Sequence, residues 1–266
     1  MKVKFPNFLK PYYLDKDQLV RVGSVDDGGY VVPLLNIKDS EILISLGISD
    51  NWDFEKDFSK ISNAKILAYD DSINLEYWIN RFKKDLVKFL KLKIFKPRKL
   101  YKMFQYIDFL LFFKKNKNNK FFLKRVGNGK NSINFEEINL NELKDNDQVF
   151  LKIDIEGSEY EILDQIVSIK KKIQGIVIEF HEVTSNLDKI KNFLKTIEDD
   201  LKLVHIHANN YSLKEFDQFP DAIELTISNI KKLSNKEHGT SESHEYPLEG
   251  LDFPNSKRSP EIKIIF

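Results

Sequence analysis

Leu151-Lys152-Ile153-Asp154-Ile155-Glu156-Gly157-Ser158-Glu159-Tyr160-Glu161-Ile162-Leu163 is the most informative stretch of the chain. It reads as a buried strand that ends in Asp-x-Glu-Gly-x-Glu and runs directly into a helix. In open α/β sheets ligands sit beyond the carboxyl ends of the strands, which puts Asp154 and Glu156 at the crevice. Gly157 permits the turn that follows. Orphan amides at the start of the helix want acceptors, and Glu159 is read as serving them; a capping role is also open to the other acids.

Its strand, Val149–Ile155, is one of six apolar runs, with Glu41–Gly47, Ala64–Tyr69, Phe121–Val126, Gly175–Phe180 and Leu201–His207. Helix-length amphipathic stretches at Asn74–Phe89, Ser158–Lys171 and Asn186–Asp199 alternate with them. That alternation is the signature of a doubly wound α/β fold, with a mostly parallel sheet covered by helices. Ala222–Ser228 and Glu261–Phe266 follow with no clear helix between them, which predicts antiparallel pairing there.

At 266 residues, 41% hydrophobic and 31% charged, the chain suits one large globular domain, 1–266, and excludes disorder. The absence of cysteine excludes disulfides, thiolate metal sites and cysteine nucleophiles, and fits a reducing cytoplasm. With no signal-peptide run and no spanning helix in the sequence, the expected location is cytoplasmic, with membrane association left open.

Net charge is only +1, yet Arg81 to Lys120 holds 14 basic and two acidic residues, so 14 − 2 = +12 sits in one segment and 28 − 39 = −11 in the rest. Residues 83–119 are read as a basic helical insertion, broken at Pro97 and helical again over Arg98–Phe113. Such a segment can cover a substrate, lie on a membrane surface or be a solvated cap. An anionic partner is expected there, and nucleic acid is not. Ser234–Ser243 is polar and turn-rich, hence a loop.

Four further places carry candidate chemistry. In Arg21-Val22-Gly23-Ser24-Val25-Asp26-Asp27-Gly28-Gly29-Tyr30-Val31-Val32 the glycine pair suits a hairpin turn, or else a backbone that approaches a ligand while Tyr30 lines its pocket. The first strand ends in Leu46-Gly47-Ile48-Ser49-Asp50-Asn51, whose single glycine argues against a pyrophosphate-binding loop. Asp70 and Asp71 end the second strand, Asp70 lying 23 residues after Gly47. Glu179-Phe180-His181 and His205-Ile206-His207-Ala208-Asn209-Asn210 end the fifth and sixth strands, and period-two alternation brings His181 and His207 nearest the crevice. With Asp154 these histidines make a two-histidine, one-carboxylate set that would suit a divalent metal, and His181 is a candidate general base.

The Asp-x-Glu-Gly-x-Glu string, the Arg21–Val32 block, the Glu-x-His and His-x-x-Asn-Asn strand ends and the tail Tyr246–Asn255 together resemble FkbM-type methyltransferases. The resemblance implies the seven-stranded, Rossmann-like sheet of class I methyltransferases and S-adenosylmethionine as cofactor. Gly47, Ser49, Asp70, Asp71, Asp154 and Tyr30 would then hold the cofactor, an aspartate at the end of the second strand receiving the ribose diol. His181, Asp154 and Glu156 would be catalytic, and the reaction O-methylation of a saccharide or glycoconjugate hydroxyl, lipid-linked or free, as in polysaccharide biosynthesis. Two other classes stay open: a dinucleotide-dependent oxidoreductase, and a non-catalytic carbohydrate or membrane-surface module.

Overall fold

Ile42–Leu46, Val149–Ile153 and Ile173–Phe180 are buried at every residue, as strands covered on both faces must be. In the computed structural model, which describes residues 1–92, 97–143, 147–211, 219–229, 231 and 244–266, they form the centre of one sheet. Its seven strands are β1 (Ile42–Leu46), β2 (Lys65–Tyr69), β3 (Asn119–Phe122), β4 (Val149–Ile153), β5 (Ile173–Phe180), β6 (Leu201–Ala208) and β7 (Ile223–Asn229). They lie in the order β3-β2-β1-β4-β5-β7-β6. All pairs are parallel except those of β7, which runs antiparallel to both β5 and β6.

The helices are α1 (Leu34–Lys38), α2 (Asp53–Ile61), α3 (Leu75–Leu92), α4 (Pro97–Leu110), α5 (Phe135–Glu142), α6 (Leu163–Ser168) and α7 (Val183–Ile197). Alternate strand residues feed two cores. Leu43, Ile66, Phe150 and Val177 pack with Ile37, Phe54, Phe58, Trp78 and Phe109 from α1 to α4. Ile44, Leu46, Leu151 and Ile178 pack with Phe135, Ile166, Ile190 and Phe193 from α5 to α7. The winding is therefore double, and the fold class read from the sequence holds.

Three local expectations change. Glu261–Phe266 does not join the large sheet; Lys263–Ile265 pairs in parallel with Lys2–Lys4 in a separate ribbon. β7 lies between β5 and β6, so neither of its edges is free for another strand. The expected strand Phe121–Val126 starts earlier and stops at Phe122, and Arg125–Val126 pairs with Ser132–Ile133 instead. The expected helix Ser158–Lys171 is split into a 3-10 turn at Glu159–Glu161, the short α6, and a second 3-10 turn at Lys170–Lys172. The Glu159 carboxylate accepts from the amides of Ile155 and Gly157, at 3.1 and 3.2 Å, ahead of the first turn, whose start carries no side-chain cap.

The basic segment grows out of the framework. α3 begins at Leu75, and α4 is described from Pro97. Trp52 packs edge-on to Trp78 and Phe109, with centroids 6.2 and 5.4 Å apart, and Phe109 meets Phe121 at 4.9 Å. Each such aromatic pair contributes about 0.5–1.5 kcal/mol beyond its buried area. Lys93 and Lys96 lie outside the described residues, as does the loop read at Ser234–Ser243. Among the described residues no helix is long and apolar enough to cross a membrane.

Candidate active site

The ends of β1, β2 and β4 open onto one cleft of about 530 Å³, a size typical of small-molecule sites. Gly47, Ser49, Asp70, Asp71, Asp154 and Glu156 line it, with Asp27 and Gly28 of the hairpin turn and Lys124, Arg125 and Lys152.

Gly47 sits at φ +76°, and a Cβ there would lie 1.7 Å from the carbonyl oxygen of Asp154. The β1 and β4 chain ends touch at this point, and only glycine allows it. Lys152, almost wholly buried, donates from Nζ to the Gly47 carbonyl at 2.5 Å. Among the described residues, Ser49, Glu156 and Glu182 are the non-glycine residues with positive φ, at 45°, 53° and 50°, and they follow β1, β4 and β5 on the cleft side of the sheet. Left-handed backbone at such residues is strained and gathers at functional sites.

Asp70 is committed to the loop. Its Oδ2 accepts from the amides of Ile48 and Ser49 at 3.0 and 2.7 Å, and its Oδ1 from the amide and hydroxyl of Ser72 at 2.7 and 2.6 Å. Four donors saturate a carboxylate. Asp71 is exposed on the same wall. Asp50, next along the loop, is gripped by α3, where Tyr77 donates to it at 3.0 Å and Arg81 forms an ion pair with it.

The three expected catalytic residues come together: one donor atom each from Asp154, Glu156 and His181 falls within 4.8 Å of the others. His181 Nδ1 is 3.0 Å from Glu159 Oε1, while its Nε2 lies 3.5 Å from Glu156 and 3.8 Å from Glu179. Burial alone would lower the His181 pKa; the Glu159 hydrogen bond and the charges of Glu179, Glu159 and Asp154 outweigh it and raise the value to about 9. Burial raises Asp154 to about 6, against the pull of Lys152 and His181. Burial, then Asp154 and Glu224, push Glu179 well above the usual carboxylate range. These shifts favour the imidazolium form of His181 at neutral pH and bring Asp154 towards neutrality.

Two expected residues are elsewhere. His207 is buried with its Nδ1 3.0 Å from Glu224 and its Nε2 3.2 Å from Glu261, so neither nitrogen is left for a metal shared with Asp154 and His181. β7, paired beside β6, sets Glu224 against it, and Glu261 comes from the segment that precedes Lys263–Ile265. Tyr30 does not line the cleft. The turn residues Asp27 and Gly28 do, whereas Tyr30 has entered the strand Gly29–Pro33, which pairs antiparallel with Leu19–Gly23 as a hairpin, and packs edge-on to Phe54, 5.7 Å between centroids. Sequence reasoning missed Lys152, although a lone lysine inside an otherwise apolar strand was a visible signal, and it missed Asp27, which was read only as a turn residue.

A sheet ordered β3-β2-β1-β4-β5-β7-β6 with β7 reversed, and a cleft beyond the ends of β1, β2 and β4, define a class I S-adenosylmethionine-dependent methyltransferase. The family description "Methyltransferase FkbM domain" matches residues 5–213, and the chain belongs to the FkbM methyltransferase family. No curated protein matches it in sequence. Solved structures similar in fold include the FkbM methyltransferase from Methylobacillus flagellatus KT, 18% identical over 71% of this chain and 44% of that one, TM-score 0.38. A precorrin-6y C5,15-methyltransferase from Geobacter metallireducens GS-15 is 15% identical over 85% of this chain and 100% of that one, TM-score 0.37. An rRNA methylase from Streptococcus thermophilus is 10% identical over 74% and 90%, TM-score 0.40.

Proposed function

We propose that the protein methylates a hydroxyl of a saccharide or glycoconjugate, of the capsule or surface-polysaccharide type, drawn from an anionic or membrane-associated pool. The observation that carries this reading is the character of the cleft, whose open side is walled by Asp27, Asn51, Asp71, Glu156, Lys124 and Arg125, polar groups suited to a hydroxylated acceptor. S-adenosylmethionine supplies an electrophilic methyl group on a sulfonium sulfur. Gly47, without a side chain, leaves the cleft floor open to it, and Asp71 has a free carboxylate for the ribose diol. Asp70 holds the loop that shapes this floor.

An alcohol is a weak nucleophile until its proton is taken or shared. Asp154, poised near neutrality at the end of β4, is the proposed base in place of His181. His181, held charged by Glu159, positions the acids and balances their charge as the proton arrives. Lining up nucleophile and methyl supplies much of the remaining acceleration.

The insertion adds the surface. Leu75 and Ile79 at the start of α3, and Phe82, Phe104, Ile107 and Leu111 within the +12 segment Arg81 to Lys120, are exposed apolar residues at helical spacing. A basic amphipathic pair of helices suits the interface of an anionic membrane.

The test is transfer of label from methyl-tritiated S-adenosylmethionine to uronic-acid oligosaccharides, neutral oligosaccharides or lipid-linked oligosaccharides in anionic vesicles. Label should enter a saccharide as a base-stable ether, fastest with an anionic or vesicle-bound acceptor. Transfer to RNA or to an aromatic phenol with none to any saccharide overturns the reading.

A further inference from the structure

We propose that Asp27, Glu179 and Glu224, with the side-chain oxygens of Asn255 and Tyr30, form a binding site for a hard divalent cation of the Mg²⁺ or Ca²⁺ type. One carboxylate oxygen from each acid lies within 4.8 Å of the others. The set shares no residue with the Asp154, Glu156 and His181 group.

Glu179 and Glu224 stand directly opposite each other in the antiparallel pairing of β5 and β7, and both are 4% exposed. Like charges in that position repel across the strands, and burial deepens the cost. Asp27 reaches the pair from the hairpin turn. The partners present compensate only in part. Asn209 donates to Glu179 at 2.7 Å and His207 bonds Glu224 at 3.0 Å. Asn255 Nδ2 donates to Asp27 at 3.1 Å and to Glu224 at 2.5 Å. Arg21 sends its N–H groups to the main-chain carbonyls of Ser24, Asp26 and Leu251, so its charge reaches Glu224 only through space, and His181 Nε2 lies 3.8 Å from Glu179.

Two buried oxygens point to a ligand independently of the acids. Asn255 Oδ1 and the Tyr30 hydroxyl make no hydrogen bond, although Asn255 is 7% exposed and Tyr30 2%. Buried polar atoms are rarely left so. The Asn255 amide already touches two of the acids, so a half-turn about its last torsion exchanges NH₂ for oxygen at the same point. The Tyr30 hydroxyl lies in the field of Asp154 and of all three acids of the set, Glu179, Glu224 and Asp27. A cation bridging the carboxylates would replace the amide N–H groups and give both oxygens a partner. Three carboxylates, an amide carbonyl and a hydroxyl make an all-oxygen set, which selects hard cations. Because Asp27 also lines the cleft, such a cation would face it and could take acceptor oxygens as further ligands; that consequence, unlike the site, rests on the acceptor reading above.

The test uses the full chain, stripped with EDTA, desalted and titrated with Mn²⁺ while free Mn²⁺ is followed by electron paramagnetic resonance. The expected result is one Mn²⁺ per chain with Kd of about 10⁻⁴–10⁻³ M or tighter, displaced by Mg²⁺ or Ca²⁺ and accompanied by a higher Tm. Asp27→Asn, at an exposed position that keeps the fold, should weaken binding at least tenfold, and Glu224→Gln should abolish it if that variant folds. Glu156→Gln should leave it unchanged. Absence of bound Mn²⁺ at millimolar concentration, unchanged affinity in Asp27→Asn, or loss in Glu156→Gln each overturns the proposal. None of these readouts depends on methyl transfer.

Discussion

His181 Nδ1 lies 3.0 Å from Oε1 of Glu159, a side chain with no exposed surface, so the imidazole at the end of β5 is tied to the first turn after β4. The same carboxylate oxygen accepts from the amides of Ile155 and Gly157. Glu159 therefore braces the loop that leaves β4, instead of capping the helix start as expected, and also holds the histidine charged.

The first prediction concerns that charge. The folded His181 pKa of about 9 exceeds its ordinary 6.5, so the stability it contributes is complete below pH 6.5 and is lost as pH rises through 9. Proton NMR should find His181 titrating near 9 in the parent and towards 6.5 in Glu159→Gln, whose urea stability should also vary less between pH 7 and 10. An unchanged histidine titration would refute the coupling.

Asp154→Asn should lower kcat about 10²–10⁴-fold while S-adenosylhomocysteine binds as before, since a base acts on the acceptor's proton and not on the cofactor. The parent's rate should rise with pH through an apparent pKa of about 6. A rate independent of pH between 5 and 8 removes Asp154 from that role.

Asp70 and Asp71 should separate cleanly. Asp70→Ala strands two loop amides, and should cost about 1–3 kcal/mol of stability for each buried group left unpaired. Asp71→Ala should leave Tm unchanged and weaken S-adenosylhomocysteine by about 1–3 kcal/mol through the unpaired diol. Calorimetry and melting curves on both variants decide it, and the reverse pattern would return the diol to Asp70.

Gly47→Ala and Gly157→Ala both put a side chain at positive φ, which costs about 1–2 kcal/mol. Around Gly157 nothing lies within 4 Å of the new Cβ, whereas at Gly47 it meets the Asp154 carbonyl at 1.7 Å. Gly157→Ala should lose about that backbone cost alone. Gly47→Ala should lose at least about twice as much, together with cofactor binding, because β1 and β4 must part. Equal losses in thermal melts would contradict the close approach.

Ile79→Glu combined with Ile107→Glu should abolish co-sedimentation with vesicles containing anionic lipid, leaving Tm and S-adenosylhomocysteine affinity intact because both residues are exposed. The parent should lose much of its vesicle binding between roughly 0.05 and 0.5 M salt, as screening removes the electrostatic part. Binding that survives both changes would assign the apolar stripe another purpose.

The strands, their parallel core and the cleft-facing acids Asp154 and Glu156 could be read from the chain because each is a local property. A strand covered on both faces is a continuous apolar run, and a carboxylate that interrupts such a run at its carboxyl end stands where the sheet opens. Gly47 and the Asp27-Gly28-Gly29 turn were legible for the same reason, since backbone freedom shows in a single residue type. What could not be read were partnerships across the sheet. His207 lay in the right place on its own strand, but insertion of β7 between β5 and β6 set Glu224 against it and opposite Glu179. Tyr30 shares its segment with two cleft residues yet turns into the core, and Asp70 spends one oxygen on Ile48 and Ser49, 22 and 21 residues away in sequence, and the other on Ser72. Hydrophobic periodicity encodes which face of an element is buried; the register between elements, on which every one of these contacts depends, arises only when the strands pack.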